Sequence, residues 1–299
     1  METDTALTET PARDLEPHFE DVQHHYDLSD DFYRLFLDPS RTYSCAYFER
    51  DDMTLEEAQT AKIELALGKL DLRPGMTLLD IGCGWGGTLM RALHHHDVNV
   101  IGLTLSKNQA LHVQRLFDED ETPRSKRVLM DGWEQFHEPV DRIVSIGAFE
   151  HFGRDRYSRF FETAHDLLPA DGVMLLHTII RPSDDDYAQR NLTITMRHVR
   201  FLRFILTEIF PGGDLPQPDD VINHAAAAGF TLQRVQSLRM HYARTLECWA
   251  AGLQAHREEA LAIQPQEVYD RYLKYLTGCV ELFRDGYIDI CQFTLAKGI

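Results

Sequence analysis

The chain has 299 residues, 43% hydrophobic and 26% charged, the make-up of a soluble globular protein of one large α/β domain or two small ones. Its 48 acidic against 30 basic side chains give a net charge of −18, a surface that repels nucleic acid and anionic membrane faces at long range. No apolar stretch approaches the roughly 18 residues of a membrane span, the acidic N-terminus has no signal-type hydrophobic region, and Cys45, Cys83, Cys248, Cys279 and Cys291, without CxxC spacing, read as reduced thiols in a cytoplasm.

Residues 1–17 are polar, carry Pro11 and Pro17, and read as a mobile tail ahead of one domain over 18–299. His18 to Leu37 predicts two short helices, the second capped by Ser29 with Asp30 and Asp31 in its first turn. Asp38-Pro39 stops it, and the aromatic run Thr42 to Arg50 is irregular or extended. Thr54 and Glu57 form a capping box for a helix to about Leu70. Arg73-Pro74-Gly75 then turns the chain into a strand–helix alternation. Strands are expected at 77–81, 98–104, 126–131, 141–147 and 173–179, with helices near 86–95, 107–118 and 154–168. Such alternation implies a parallel sheet covered on both faces. A helix at 219–229, a strand at 231–240 and a closing strand at 292–297 complete it. Two insertions break the rhythm: 182–216, which contains the apolar stretch Phe201 to Phe210, and a helix pair at about 243–260 and 266–285. In the last helix Tyr269, Tyr272, Leu276, Cys279, Val280 and Phe283 make one buried stripe.

The most informative run is LLDIGCGWGG, Leu78 to Gly87. An apolar strand ends at Asp80, and Gly82, Gly84 and Gly86 alternate before a helix begins. Glycines at a strand–helix junction let a ligand approach the backbone closely. The ligand could be a dinucleotide or S-adenosylmethionine; a ligand-free tight turn is the plainer reading. A pyrophosphate is an anion that would sit on the helix N-terminus, whereas Asp80 suits the cationic amino-acid end of S-adenosylmethionine. The acid that grips ribose hydroxyls about 20 residues on is absent from VIGLTLSKNQ, where Thr104 and Gln109 are the available hydrogen-bonding side chains.

Glu150, His177 and Tyr242 fall at the ends of the fourth, fifth and sixth expected strands. Ligands of open α/β sheets sit outside such ends, so a carboxylate, an imidazole and a phenol could converge there for acid–base chemistry. Taken singly, His177 reads equally well as a hydrogen-bonded core residue and Tyr242 better as packing. Glu150 beside Phe149 and Phe152 is harder to dismiss, because burying a carboxylate is costly without a partner. His94-His95-His96 lies at a helix C-terminus, where histidines suit the dipole, and adjacent residues point in different directions. It is read as structural, and no metal is expected. Phe201 to Phe210 reads as core or pocket wall.

TYSCAYFERDDMTLEEAQTAK, LLDIGCGWGG, VNVIGLTLSKNQ, VDRIVSIGAFEHFG and EIFPGG together resemble the cyclopropane fatty acid synthase family, most narrowly the cyclopropane synthases of mycolic acids. The match runs in order from about His18 to Lys297. It implies a seven-stranded S-adenosylmethionine-dependent methyltransferase sheet, Rossmann-like, with an N-terminal helical lid (18–72) and helical insertions (182–216 and 243–285) forming an acyl tunnel.

The resemblance also implies methyl transfer to a cis double bond of a long, meromycolyl-type acyl chain and cyclopropane closure through a carbocation, with bound bicarbonate as base. The shell of that ion would be backbone groups of Cys45 and Ile146 and the side chains of Glu150, His177 and Tyr242. Tyr43, Ser44, Gly82, Gly84, Thr104, Gln109, Trp133 and Glu134 would line the cofactor site with Asp80. The faces of Tyr26, Tyr43 and Phe204 are candidates for stabilising positive charge on carbon. The substrate would travel on an acyl carrier protein, for which Arg197, Arg200 and Arg203 offer a basic landing group; no nucleic acid is implied. Hydroxyl-forming relatives carry Glu where this chain has Gly147, which favours ring closure. The competing functions are a hydroxyl-forming mycolic acid methyltransferase, an N- or O-methyltransferase of a smaller metabolite, and a non-catalytic cofactor-binding partner of carrier proteins.

Overall fold

In the computed structural model residues 30–298 are described; the expected tail, the first short helix, the Ser29 cap and Tyr26 lie outside the described residues. Short apolar runs bounded by turn residues become strands: β1 (Thr77–Ile81), β2 (Asn99–Leu103), β3 (Lys126–Leu129), β4 (Arg142–Ile146), β5 (Val173–Ile180), β6 (Phe230–Ser237) and β7 (Asp289–Lys297). They form one seven-stranded sheet in the order β3-β2-β1-β4-β5-β7-β6. The first five pair in parallel, but β7 runs antiparallel between β5 and β6, so the expectation of a parallel sheet is corrected to a mixed one. Alternation of strand and helix ends after β5, and the last two strands form a hairpin-like pair whose long connection is helical.

The helices that cover it are α1 (Asp30–Arg34), α2 (Leu55–Leu67), α3 (Gly87–His96), α4 (Lys107–Glu119), α5 (Tyr157–Leu167), α6 (Asp184–Gln189), α7 (Met196–Phe204), α8 (Pro218–Ala227), α9 (Arg239–Ala255), α10 (Arg257–Ile263) and α11 (Gln266–Asp285). The capping box at the start of α2 forms as expected, Thr54 accepting from the Glu57 amide and Glu57 from the Thr54 amide. The 182–216 insertion holds α6, α7 and a wider π-type turn at Ile205–Ile209. Every residue of the expected Tyr269–Phe283 stripe is buried, and α11 stops at Gly286, whose φ of +83° makes a left-handed cap. The first helix of the expected pair, α9, starts four residues earlier than expected, at Arg239, and breaks before α10. Tyr242 therefore stands in the first turn of a helix, a correction to its placement after a strand. The histidine run closes α3, His94 on Asp120 and His96 on Glu64, so these two serve different partners.

Two apolar clusters sandwich the sheet, and a third, strongly aromatic one joins α1, the 43–47 segment, α9 and α11. In it Tyr33 packs against Phe36, Tyr43 and Trp85, and Tyr43 against Trp249 at 5.1 Å between ring centroids. This third cluster lies over the carboxyl ends of the strands and is what the insertions add to a plain α/β sheet. Among the described residues no helix is long and apolar enough to cross a membrane.

Candidate active site

Strand order reverses direction at β1, which has β2 on one side and β4 on the other. Such a switch point opens a crevice outside the strand ends. The glycine loop makes it usable. Gly82, Gly84 and Gly86 all have positive φ (+84°, +54° and +86°), a region that other residues enter only with strain. A Cβ on Gly82 would stand 2.5 Å from that of Ala148, whereas one on Gly84 would meet nothing within 4 Å, its backbone facing open space.

The crevice is one continuous cavity, open on one side to solvent. Tyr43, Ser44, Asp80, Gly82, Gly84, Thr104, Gln109, Trp133 and Glu134, all expected at a cofactor site, line it together with Ile146. Burial lifts the Asp80 carboxyl from 3.8 to about 7, against the pull of the Lys62 ammonium. A cationic ligand group brought beside Asp80 would return it to the carboxylate form. Thr104 donates to Gln109 Oε1 at 2.7 Å, which fixes the amide's orientation. Glu134 is ion-paired with Arg156 at 3.0 Å, so its carboxylate enters the cavity already held.

The irregular 42–46 segment borders this cavity and is pinned from below by α2. Gln59 Nε2 donates to the carbonyls of Thr42 (3.1 Å) and Ser44 (2.7 Å), and Lys62 Nζ to Ser44 Oγ (2.8 Å). Both side chains are buried, which pulls Lys62 down from 10.5 to about 8, with Cys45, Asp38 and Asp80 opposing. On the other side the Ala46 amide donates to Thr245 Oγ1 of α9. The Cys45 thiol points at the Ala46 and Leu238 carbonyls, and burial pushes its ionisation far up, so it is no nucleophile.

A second, larger cavity adjoins the first and shares Tyr43, Ser44, Gly147 and His151 with it. Its walls are mostly apolar: Leu202, Ile205 and Phe210 from the 182–216 insertion, Leu246 from α9, Leu282 and Phe283 from α11. Glu150 and Tyr242 face it. Glu150 Oε1 accepts from the Ile179 amide at 2.7 Å, while Oε2 is buried without a partner among the described residues. Burial lifts this carboxyl from 4.5 to about 7; the Ile179 and Glu150 amides and the Thr178 hydroxyl oppose the rise. His177 is fully buried on β5, its Nδ1 facing Gln292 Nε2 at 3.1 Å and its Nε2 without a partner among the described residues. Burial, then Lys62 and Lys69, hold it well below the ordinary histidine value, so it is neutral.

Of the five residues expected around the reacting carbons, Glu150 and Tyr242 line the second cavity and Ile146 the first; Cys45 and His177 are buried next to them and form no wall of either. Phe204 is a correction: its ring is covered by Lys274 Nζ at 3.6 Å and lines neither cavity. Sequence reasoning missed Gln59, Lys62 and His151. The first two were legible only as polar residues on the inward face of a capped helix, three residues apart; nothing marked His151.

A family model described as mycolic acid cyclopropane synthetase matches residues 13–293. Cyclopropane mycolic acid synthase MmaA2 of Mycobacterium tuberculosis is 68% identical over 284 residues, covering 95% of this chain and 99% of that protein. The solved structure of the cyclopropane synthase MmaA2 from Mycobacterium tuberculosis is similar with a TM-score of 0.94 at 67% identity, over 95% of this chain and 100% of that one. The mycolic acid cyclopropane synthase CmaA1 complexed with SAH and CTAB is similar with a TM-score of 0.93 at 66% identity and the same coverage.

Proposed function

Since the chain belongs to the mycolic acid cyclopropane synthetase family of S-adenosylmethionine-dependent methyltransferases, we propose that it methylates a cis double bond of a long, meromycolyl-type acyl chain and closes a cyclopropane ring through a carbocation. The observation that carries this reading is the pair of cavities, one at the glycine loop lined by Asp80, Thr104, Gln109 and Glu134 and one mostly apolar, sharing the wall Tyr43, Ser44, Gly147 and His151. The relative bound to both SAH and CTAB, whose cation is an alkyl chain on a quaternary ammonium, supports the division of labour.

When bound, S-adenosylmethionine supplies an electrophilic methyl group, and bicarbonate a base for the proton lost on ring closure. The residues present fit both. Asp80 meets a cationic amino-acid end, Gly82 and Gly84 allow close approach, and Gln109, Trp133 and Glu134 line the remaining wall. Glu150 Oε2 and His177 Nε2 are buried polar atoms in search of a partner, and Glu150 near 7 can still carry a proton to donate to an anion. With Tyr242 and the backbone of Cys45 and Ile146 they would make the shell. An alkene is a poor nucleophile, so the chain's main contributions are positioning and stabilisation of cationic character. The Tyr43 and Tyr275 phenols are held neutral by burial and offer ring faces for that. The 182–216 insertion and the described part of the N-terminal segment, 30–72, act as a lid that excludes water, which would trap the cation as an alcohol.

Gly147 has a φ of +71° and no side chain to hold a water between the cavities, which favours closure over hydroxyl formation. The apolar second cavity disfavours a small polar methyl acceptor. We assign an acyl carrier protein as the substrate's vehicle. Arg200 and Arg203 on α7 are exposed and without an ion pair among the described residues, while Arg197 is tied to Glu281. All five cysteines are free thiols, in keeping with a cytoplasmic enzyme.

The test is incubation with methyl-labelled S-adenosylmethionine and an unsaturated acyl carrier substrate. A product heavier by one CH2, with the double bond lost, is expected. Label found only in an amine or ether overturns the reading, and a methyl-branched alcohol moves the chain to the hydroxyl-forming class.

A further inference from the structure

One rung of the sheet crosses four strands through the site. Ile146 on β4 is opposite His177 on β5, His177 is opposite Gln292 on β7, and Gln292 is opposite Gln236 on β6. Residues opposite one another in a ladder project to the same face, so the polar side chains form a row. Lys69, just after α2, lies over its far end: Nζ donates to Gln236 Oε1 at 2.7 Å and Gln292 Oε1 at 2.5 Å.

The chemistry of these groups fixes every proton in the row. An ammonium has only donors, so the Gln292 atom that faces Lys69 is its oxygen. Its NH2 end then faces His177 Nδ1, and an amide nitrogen only donates. Nδ1 must therefore be the bare, accepting nitrogen, and the neutral ring carries its proton on Nε2. That N–H is buried and has no acceptor among the described residues.

We propose that Lys69 and Gln292 are positioning residues that hold His177 as its Nε2–H tautomer, making the imidazole a fixed hydrogen-bond donor to a small oxyanion and not a base. The assignment of bicarbonate as that oxyanion rests on the function proposed above; the tautomer does not. Both lone-pair positions of the ring are spoken for, one by the Gln292 amide and one by the proton. The ring holds the base in place and leaves proton acceptance to it. Neutrality follows from burial and from the nearby Lys62 and Lys69 charges.

The experiment is long-range proton–nitrogen correlation NMR on the full chain labelled with 15N-histidine, His177 being assigned by its loss in His177→Gln. A protonated Nε2 and bare Nδ1 from pH 6 to 8 are expected. Gln292→Glu presents a carboxylate to Nδ1 and should move the proton there. Lys69→Met frees the amide to turn and should give a mixture, while Lys69→Arg, again donor-only, restores the parent pattern. In the acyl assay Gln292→Glu and Lys69→Met should lower kcat about ten- to a hundredfold with cofactor KM unchanged. A parent spectrum with Nδ1–H or a doubly protonated ring at pH 7 overturns the proposal, as does an unmoved tautomer in Gln292→Glu. The expected spectra in a protein that converts no acyl substrate would leave the positioning role standing and refute the proposed function instead.

Discussion

Glu150→Gln separates the cost of the site from its use. The folded protein holds the Glu150 proton up to about pH 7, whereas the unfolded chain releases it near 4.5. Between those values the folded state binds more protons, so the Glu150 contribution to stability is whole below pH 4.5 and falls as pH rises through 7. At about 1.4 kcal/mol per pH unit, the interval amounts to about 3 kcal/mol. Glutamine keeps the oxygen that accepts from Ile179 and replaces the partnerless Oε2 by a neutral amide. The variant should therefore gain on the parent by about 3 kcal/mol between pH 4.5 and pH 8, about 6 °C in Tm for a chain of this size. Urea and thermal unfolding of both proteins over that range measure the gap, and subtracting one from the other removes titrations they share, such as Asp80. Turnover should fall by about 2–4 kcal/mol of transition-state stabilisation in the same variant. A stability gap that does not change with pH would refute the buried, raised-pKa carboxylate; unchanged turnover would remove Glu150 from the chemistry.

Three further substitutions probe the scaffold. Gly82→Ala places a methyl 2.5 Å from Ala148 at a φ of +84°, and should cost about 1–3 kcal/mol with at least tenfold weaker S-adenosylhomocysteine binding by calorimetry. Gln59→Leu strands the buried carbonyl of Ser44 and the half-buried one of Thr42 and should cost about 1–3 kcal/mol in urea titrations. Because the segment it tethers borders both cavities, KM for cofactor and acyl substrate should rise together. Gly278→Ala drives a methyl to 2.2 Å from the Phe201 ring, so that ring, or α7 with it, must shift on α11; acyl KM should change while cofactor affinity, measured by calorimetry, stays as it was.

What the sequence disclosed and what it hid divide along a physical line. The glycine loop, the first five strands, the capping box of α2 and the buried stripe of α11 are local patterns, set by backbone sterics and by the periodicity of one segment. Of the expected cofactor residues, Asp80, the glycines, Thr104 and Gln109 were legible at strand ends, while Tyr43, Ser44, Trp133 and Glu134 came only through the family resemblance; all nine line one cavity. The antiparallel insertion of β7 was hidden because pairing partners are not encoded in a strand's own alternation. Tyr242 was misplaced because the strand-like and helix-like readings of 238–242 differ by a few residues, and tertiary packing chose the helix. Phe204 was misassigned because helical spacing marks an apolar residue as inward without saying whether it meets a cavity or, as here, a lysine.

Two of the residues that sequence reasoning missed, Gln59 and Lys62, share a property with the one that it weighed most. Gln59, Lys62 and Glu150 are polar or ionisable groups whose burial carries a desolvation cost that their partners must offset. Lys62 and Glu150 are displaced by burial in opposite directions, each toward its neutral form, to about 8 and about 7. Burial thus disfavours charge on both sides of the shared wall, although Lys62 at about 8 remains mostly an ammonium at pH 7. The fold bears that electrostatic cost at its sheet ends, and the aromatic cluster of α1, α9 and α11, built entirely outside the α/β core, supplies the apolar burial that offsets it.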